Sequence, residues 1–136
     1  QYGLEKKPGV EETLRFLRAK GIKTAVATAT ALDITKSHLT TIGVYDLFDS
    51  IVSAKNVAHG KPEPDVYLYA CEQIGERPQD CMAVEDSPNG IMAAYRAGLR
   101  TVMVPDLTQP DEELTKYLYA CVNSLSDLCE LVDKED

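Results

Sequence analysis

The sequence has no tryptophan, few aromatic residues (7%), no long apolar run and no cluster of basic residues. Fourteen Lys and Arg against 22 Asp and Glu give a net charge of −8. A phosphate backbone needs clustered cations, so this balance argues against nucleic acid as a partner. No apolar run approaches the roughly 18–20 residues that a membrane-spanning helix requires. The stretch QYGLEKKPGV carries no apolar segment of the secretory-signal kind. Four cysteines (Cys71, Cys81, Cys121, Cys129) form no C-x-x-C pair, and only two histidines accompany them, which disfavours a zinc site. They read as reduced, mostly buried thiols of a cytoplasmic protein. Without a G-x-G-x-x-G run, dinucleotide binding is disfavoured too.

What remains is an ordinary globular composition, 44% hydrophobic and 26% charged, in a chain of 136 residues. That length suits one domain spanning 1–136. The pattern alternates. VEETLRFLRAKG has acids in its first turn, an apolar stripe at Val10, Leu14 and Leu17, and a stop at Gly21. IKTAVATAT reads as a buried parallel strand. Asp33 is placed to cap a helix that ends at Gly43, and a short strand is expected at Ser50–Ser53. A helix follows GKPEPD, with Val66, Tyr69, Ala70 and Ile74 on its inner side and Gly75 at its end. CMAVE and TVMVP are strands that flank a helix from Ser87 to Ala97. Beyond them the pattern predicts a helix near Asp111–Leu118, an extended piece at Cys121–Val122 and a helix from Ser126. Alternation with short connections means an α/β fold, a Rossmann-like parallel sheet with helices on both faces.

Ligands of such sheets bind at the carboxyl ends of the strands. The polar residues there are Thr28, Ala29 and Thr30 after one strand, Lys61 after the next, and Glu85, Asp86 and Ser87 after a third. Each has a plain structural explanation: Thr as a β-former, Lys as a surface residue, Asp86 or Ser87 as a helix cap. His38 and His59 read as a helix-surface and a loop residue. Jointly, however, the strand-end set suits one chemistry. Paired carboxylates hold a hard cation such as Mg²⁺, while the ammonium and hydroxyl grip an adjacent anion. Such a grouping stabilises charge in phosphoryl transfer.

TAVATAT, GKPEPDVY and AVEDSPNGIMAAYRAG resemble the second, third and fourth motifs of the haloacid-dehalogenase superfamily, nearest to its β-phosphoglucomutase-like phosphatases. The likeness runs from Pro8 to about Val132. It implies that Thr28, helped by the backbone of Ala29 and by Thr30, binds a phosphoryl group and that Lys61 neutralises it. Glu85 and Asp86 would hold Mg²⁺, Ser87 and Asn89 would shape the turn, and Gly90 would let the next helix pack close. The implied substrate is a small phosphorylated metabolite.

The family's nucleophile sits in a D-x-D motif, and none occurs here: Asp46 and Asp49 are three apart and precede an edge strand. The resemblance thus implies the C-terminal part of a longer phosphatase, without the nucleophile strand or a cap. That strand belongs between those carrying Thr28 and Glu85. Its absence is expected to be met by closure of the gap, by strand exchange in an oligomer, or by a complementing N-terminal segment. Ala31 and Leu32 stand where mutases carry a polar group for a distal phosphate, which favours hydrolysis over mutase activity. A non-catalytic phospho-ligand binder or assembly module is the alternative. A phospho-receiver domain fits less well, because Lys61 precedes a helix rather than closing a strand.

Overall fold

The computed structural model describes residues 9–104, 112–122 and 124–135. Helices and strands alternate: α1 (Val10–Ala19), β1 (Ala25–Thr28), α2 (Leu32–Thr41), β2 (Ser50–Ser53), α3 (Asp65–Ile74), β3 (Met82–Glu85), α4 (Pro88–Ala97), β4 (Arg100–Met103), α5 (Glu112–Thr115), β5 (Ala120–Cys121) and α6 (Leu125–Glu135). Every strand pairing is parallel, which is the α/β arrangement the alternation predicts. Glycines end the helices as expected. Gly21, Gly43, Gly75 and Gly98 follow α1 to α4 at positive φ, where only glycine is unstrained.

The sheet comes in two pieces. β1 pairs with β2, and β3, β4 and β5 form a second ladder in that order. β1 and β3 do not pair with each other. Alongside both of them runs a cavity of about 470 Å³, bordered by Thr24–Ala27 on one flank and Met82–Glu85 on the other. Of the three outcomes expected for the gap, closure by hydrogen bonding of its flanking strands therefore does not occur.

Side-chain packing holds the halves together. Alternate strand residues point to opposite faces. On one face Val52 and Ala83 join Val66, Tyr67, Ala70 and Cys71 of α3 and Ala93, Ala94 and Ala97 of α4 in a single cluster that crosses the gap. On the other, Val26 packs with Leu14, Leu39 and Val44. Val102 and Val104 pack with Leu125 and Leu128. Val10 of α1 touches both of these latter clusters. Among the described residues no helix is long and apolar enough to cross a membrane.

Several local expectations need correction. Asp33 does not cap α2. Ala31 is the N-cap residue, and Asp33 sits in the first turn, accepting from the backbone N–H of Ile34 at 2.9 Å. The buried residues of α3 are Val66, Tyr67, Ala70 and Cys71, while Tyr69, packed against the same cluster, and Ile74 are only half-buried. α5 ends at Thr115, β5 lies one residue earlier than expected, and α6 starts at Leu125. Ser124 accepts from the N–H of Asp127 at 3.2 Å at the start of that helix. Pro8, Pro105 and Asp111, which the sequence reading included, lie outside the described residues. All four cysteines are free thiols, but only Cys71 is buried, and Cys121 is exposed.

Leu39 is fully buried between α2 and the face of β1, whereas Ile34 on the same helix is 56% exposed. Leu39→Ala is expected to lower stability by about 2–5 kcal/mol and Ile34→Ala by under about 0.5 kcal/mol. Urea unfolding midpoints of the two variants check this.

Candidate functional site at the ends of β1 and β3

Thr28 closes β1 and is buried. Its Oγ1 accepts from the N–H of Thr30 at 3.1 Å, which turns the chain immediately after the strand. The carbonyl of Thr30 in turn accepts from Ser53 Oγ at 2.8 Å. Ser53 closes β2, is fully buried, and also accepts from the N–H of Lys55 at 3.1 Å. Ser53 thus fixes the loop that follows Thr28. The sequence reading passed over it, although a hydroxyl at the end of β2 repeats the hydroxyl at the end of β1.

Lys61 lies on the segment between β2 and α3, where the Lys61–Pro62 peptide is cis. Its Nζ is 2.6 Å from Glu85 Oε2 and 3.4 Å from the carbonyl oxygen of Ala27. One ammonium therefore spans the gap, touching β1 on one side and the end of β3 on the other. Its side chain is 14% exposed and that of Glu85 only 1%, so water screens the pair poorly. The Nζ also lies 5.1 Å from the centroid of the Tyr67 ring.

Glu85 is the pivot of the site. The Tyr67 hydroxyl donates to the same Oε2 that meets Lys61. Burial first, and then the Glu85 charge, push the Tyr67 phenol well above its ordinary value, so it stays protonated as a donor. Gly90, in the first turn of α4, passes so close that a Cβ there would overlap the Glu85 carboxylate. The expected close approach at Gly90 is thus an approach to Glu85 itself. Oε1 of Glu85 is buried and has no hydrogen-bond partner among the described residues. Asp86 follows, half-buried, and its charge also reaches Tyr67. Of the two cap candidates the structure uses Ser87, whose Oγ accepts from the N–H of Gly90 at 3.2 Å.

Lys61 and Glu85 are thus in direct contact, Thr28 adjoins the Ala27 carbonyl that Lys61 touches, and Asp86 stands at the rim of the same strand end. His59 lies apart, 3.5 Å from the Asp65 carboxylate, and His38 is on α2. Asp49 accepts from the N–H of Thr24 at 2.7 Å and so anchors the opposite end of β1. Among the described residues no group of three or more His, Cys, Asp and Glu is placed to hold a metal ion. Two carboxylates, one with an unpartnered oxygen, do fit an ion such as Mg²⁺, which is commonly held by one or two carboxylates and keeps several waters. Tyr67 is a site residue that the stripe of Val66, Tyr69, Ala70 and Ile74 does not include, because the buried face of α3 extends to the flank of Tyr67 and Cys71.

Comparison with known proteins identifies the family. A haloacid dehalogenase-like hydrolase family model matches residues 3–98. The chain is 33% identical to hexitol phosphatase B of Escherichia coli over 128 residues, 94% of this chain and 56% of that protein. It is 35% identical over 99 residues to the phosphorylated carbohydrates phosphatase of Thermotoga maritima, 73% of this chain and 46% of that protein. The crystal structure of CbbY from Rhodobacter sphaeroides in complex with phosphate superposes with a TM-score of 0.78 at 31% identity, over 90% of this chain and 55% of that one. The chain thus spans about half the length of the relatives it matches. With most of its length matched by the family model, this chain belongs to the haloacid dehalogenase-like hydrolases.

Proposed function

We propose that the chain forms the phosphate- and cation-holding part of a phosphatase acting on small phosphorylated metabolites. The observation that carries the reading is the convergence at one sheet end of Thr28, Lys61 and the Glu85–Asp86 pair, with Oε1 of Glu85 buried and unpartnered. The names of its relatives, phosphatases of hexitols and of phosphorylated carbohydrates, support a sugar-phosphate class of substrate. Ala31 and Leu32, which open α2, offer no polar side chain for a second phosphate and so support hydrolysis over mutase activity. The free thiols suit a cytoplasmic setting.

In this reading Thr28 Oγ1 and the N–H groups after β1 hold phosphoryl oxygens, and Lys61 faces them with its charge fixed against Glu85. Tyr67 and Gly90 keep the Glu85 carboxylate in place. Asp86, whose charge no short contact meets among the described residues, would be the principal holder of Mg²⁺, together with Glu85. When bound, the cation polarises the phosphoryl group and offsets charge that builds up on it. The attacking carboxylate comes from a D-x-D pair, which does not occur among the 136 residues, so it would be supplied by a further segment lying along the cavity between β1 and β3. That carboxylate oxygen would bond to phosphorus as the ester P–O bond breaks and the leaving alkoxide gains a proton. Water would then cleave the acyl phosphate to release inorganic phosphate.

The test is phosphate release from a panel of sugar phosphates, with Mg²⁺, by the chain joined to a D-x-D segment. Lys61→Ala and Asp86→Asn are each expected to lower kcat by about 10²–10³-fold. The 136-residue chain alone is expected to bind Mg²⁺ and phosphate without turnover. Unchanged kcat in both variants would rule the reading out.

Gly90→Ala offers a second check in which two effects oppose. Helix propensity favours Ala by about 1 kcal/mol. Overlap with the buried Glu85 carboxylate is expected to prevail, with a net loss of about 1–3 kcal/mol. A raised urea midpoint would show that the carboxylate has room to yield.

A further inference from the structure

Cys71 and Cys81 lie ten residues apart in the chain, yet their sulfurs are 3.6 Å apart. Cys71 sits on the buried side of α3, and Cys81 immediately precedes β3, half-buried. In the 136-residue chain on its own, both line the cavity beside β1 and β3, so a small solute can approach from that side. Neither takes part in the Lys61–Glu85 site. We propose that this pair is an oxidation site, which a hydroperoxide converts to a reversible disulfide tying α3 to β3.

The geometry requires modest movement. A disulfide is about 2.05 Å long, so the sulfurs must approach by roughly 1.5 Å. The two thiols are unequal. Burial, and donation of its S–H to Cys81, push the Cys71 thiol up to about 12. Cys81 is raised as well, by burial above all, with Glu76 and Asp80 adding to that and the hydrogen bond from Cys71 and Arg100 opposing it. Cys71 is buried and Cys81 only half-buried, so Cys81 is the sulfur that a peroxide reaches first.

Its thiolate bonds to the terminal peroxide oxygen as the O–O bond breaks, and the departing oxygen leaves, once protonated, as water from hydrogen peroxide or as the alcohol of an organic hydroperoxide. The product at Cys81 is a sulfenic acid. The Cys71 sulfur then attacks Cys81, the S–S bond forms and the S–O bond breaks. The hydroxyl leaves with the Cys71 proton as water. Two thiols are oxidised, one hydroperoxide is reduced, and a dithiol reverses the bond.

Because Cys71 is one helical turn beyond Tyr67, and Cys81 lies four residues before Glu85, the bond would fasten the two elements that make the Tyr67–Glu85 contact. Cys121 is exposed at the end of β5, and Cys129 is on α6, where its sulfur lies 3.8 Å from Thr13 Oγ1. They serve as internal controls.

The folded chain is treated with hydrogen peroxide, quenched in acid, alkylated under denaturing conditions, digested and mapped by mass spectrometry. The expected product is a Cys71–Cys81 linked peptide about 2 Da lighter than the sum of its two thiol peptides, restored by dithiothreitol. In Cys71→Ser the product at Cys81 is expected to change from disulfide to sulfenic and sulfinic acid. Oxidation of Cys81 to sulfinic acid in the unmodified chain, with Cys71 still open to alkylation, overturns the proposal. So does disulfide formation involving Cys121 or Cys129 at a comparable rate, or recovery of all four thiols unmodified.

Discussion

The structure turns on one fully buried carboxylate. Glu85 loses its hydration at the end of β3, a change that costs several kcal/mol for an ion unless it is matched by charge and donors. Four separate pieces of chain provide the match. The loop before α3 delivers Lys61, α3 delivers the Tyr67 hydroxyl, α4 makes room with Gly90, and β1 presents the Ala27 carbonyl that steadies the ammonium from the other side. Such a pair adds little net stability over an apolar alternative, but breaking it by removing one partner costs about 3–5 kcal/mol. Its effect is thus to fix where these four pieces stand relative to one another.

The same contact explains how two ladders behave as one fold. β1 and β3 face each other across an apolar cavity without a ladder between them, an arrangement that leaves both edges open to pairing. Side-chain packing joins them on one face, where Val52 and Ala83 share the cluster built around α3 and α4. A polar link joins them at one end, where Lys61 reaches both. α3 takes part in each, which is why its inward face is Tyr67 and Cys71 as well as Val66 and Ala70.

That dual role marks the limit of what the sequence displayed. Glycine stops, β-branched runs and acid-rich first turns gave the helices and strands nearly in place, because those signals are local. Thr28, Lys61 and Glu85–Asp86 were legible as strand-end residues because a parallel sheet gathers its strand ends on one side. Tyr67 was not, since periodicity shows that a helix has an apolar face but not which flank of it a buried carboxylate will occupy. Asp33 misled for a related reason: Asp serves equally at a cap and in a first turn, and backbone geometry decides between them. Ser53 was hidden because its role depends on the turn after a neighbouring strand.

The two adjacent acids at the end of β3, Glu85 and Asp86, differ in how their charge is met. Lys61 meets Glu85 directly, so the ammonium is largely committed before any ligand arrives. Asp86 remains, and the three groups together carry one net negative charge. A phosphate ester brings about two more at neutral pH, and like charges in so poorly screened a place repel strongly. In the proposed function, a divalent cation beside Asp86 would reverse the sign of the site, and only then would a phosphate gain by entering. Glu85 orders the floor and Lys61 is held by it, and in that proposal Asp86 is the residue whose charge would meet the cation.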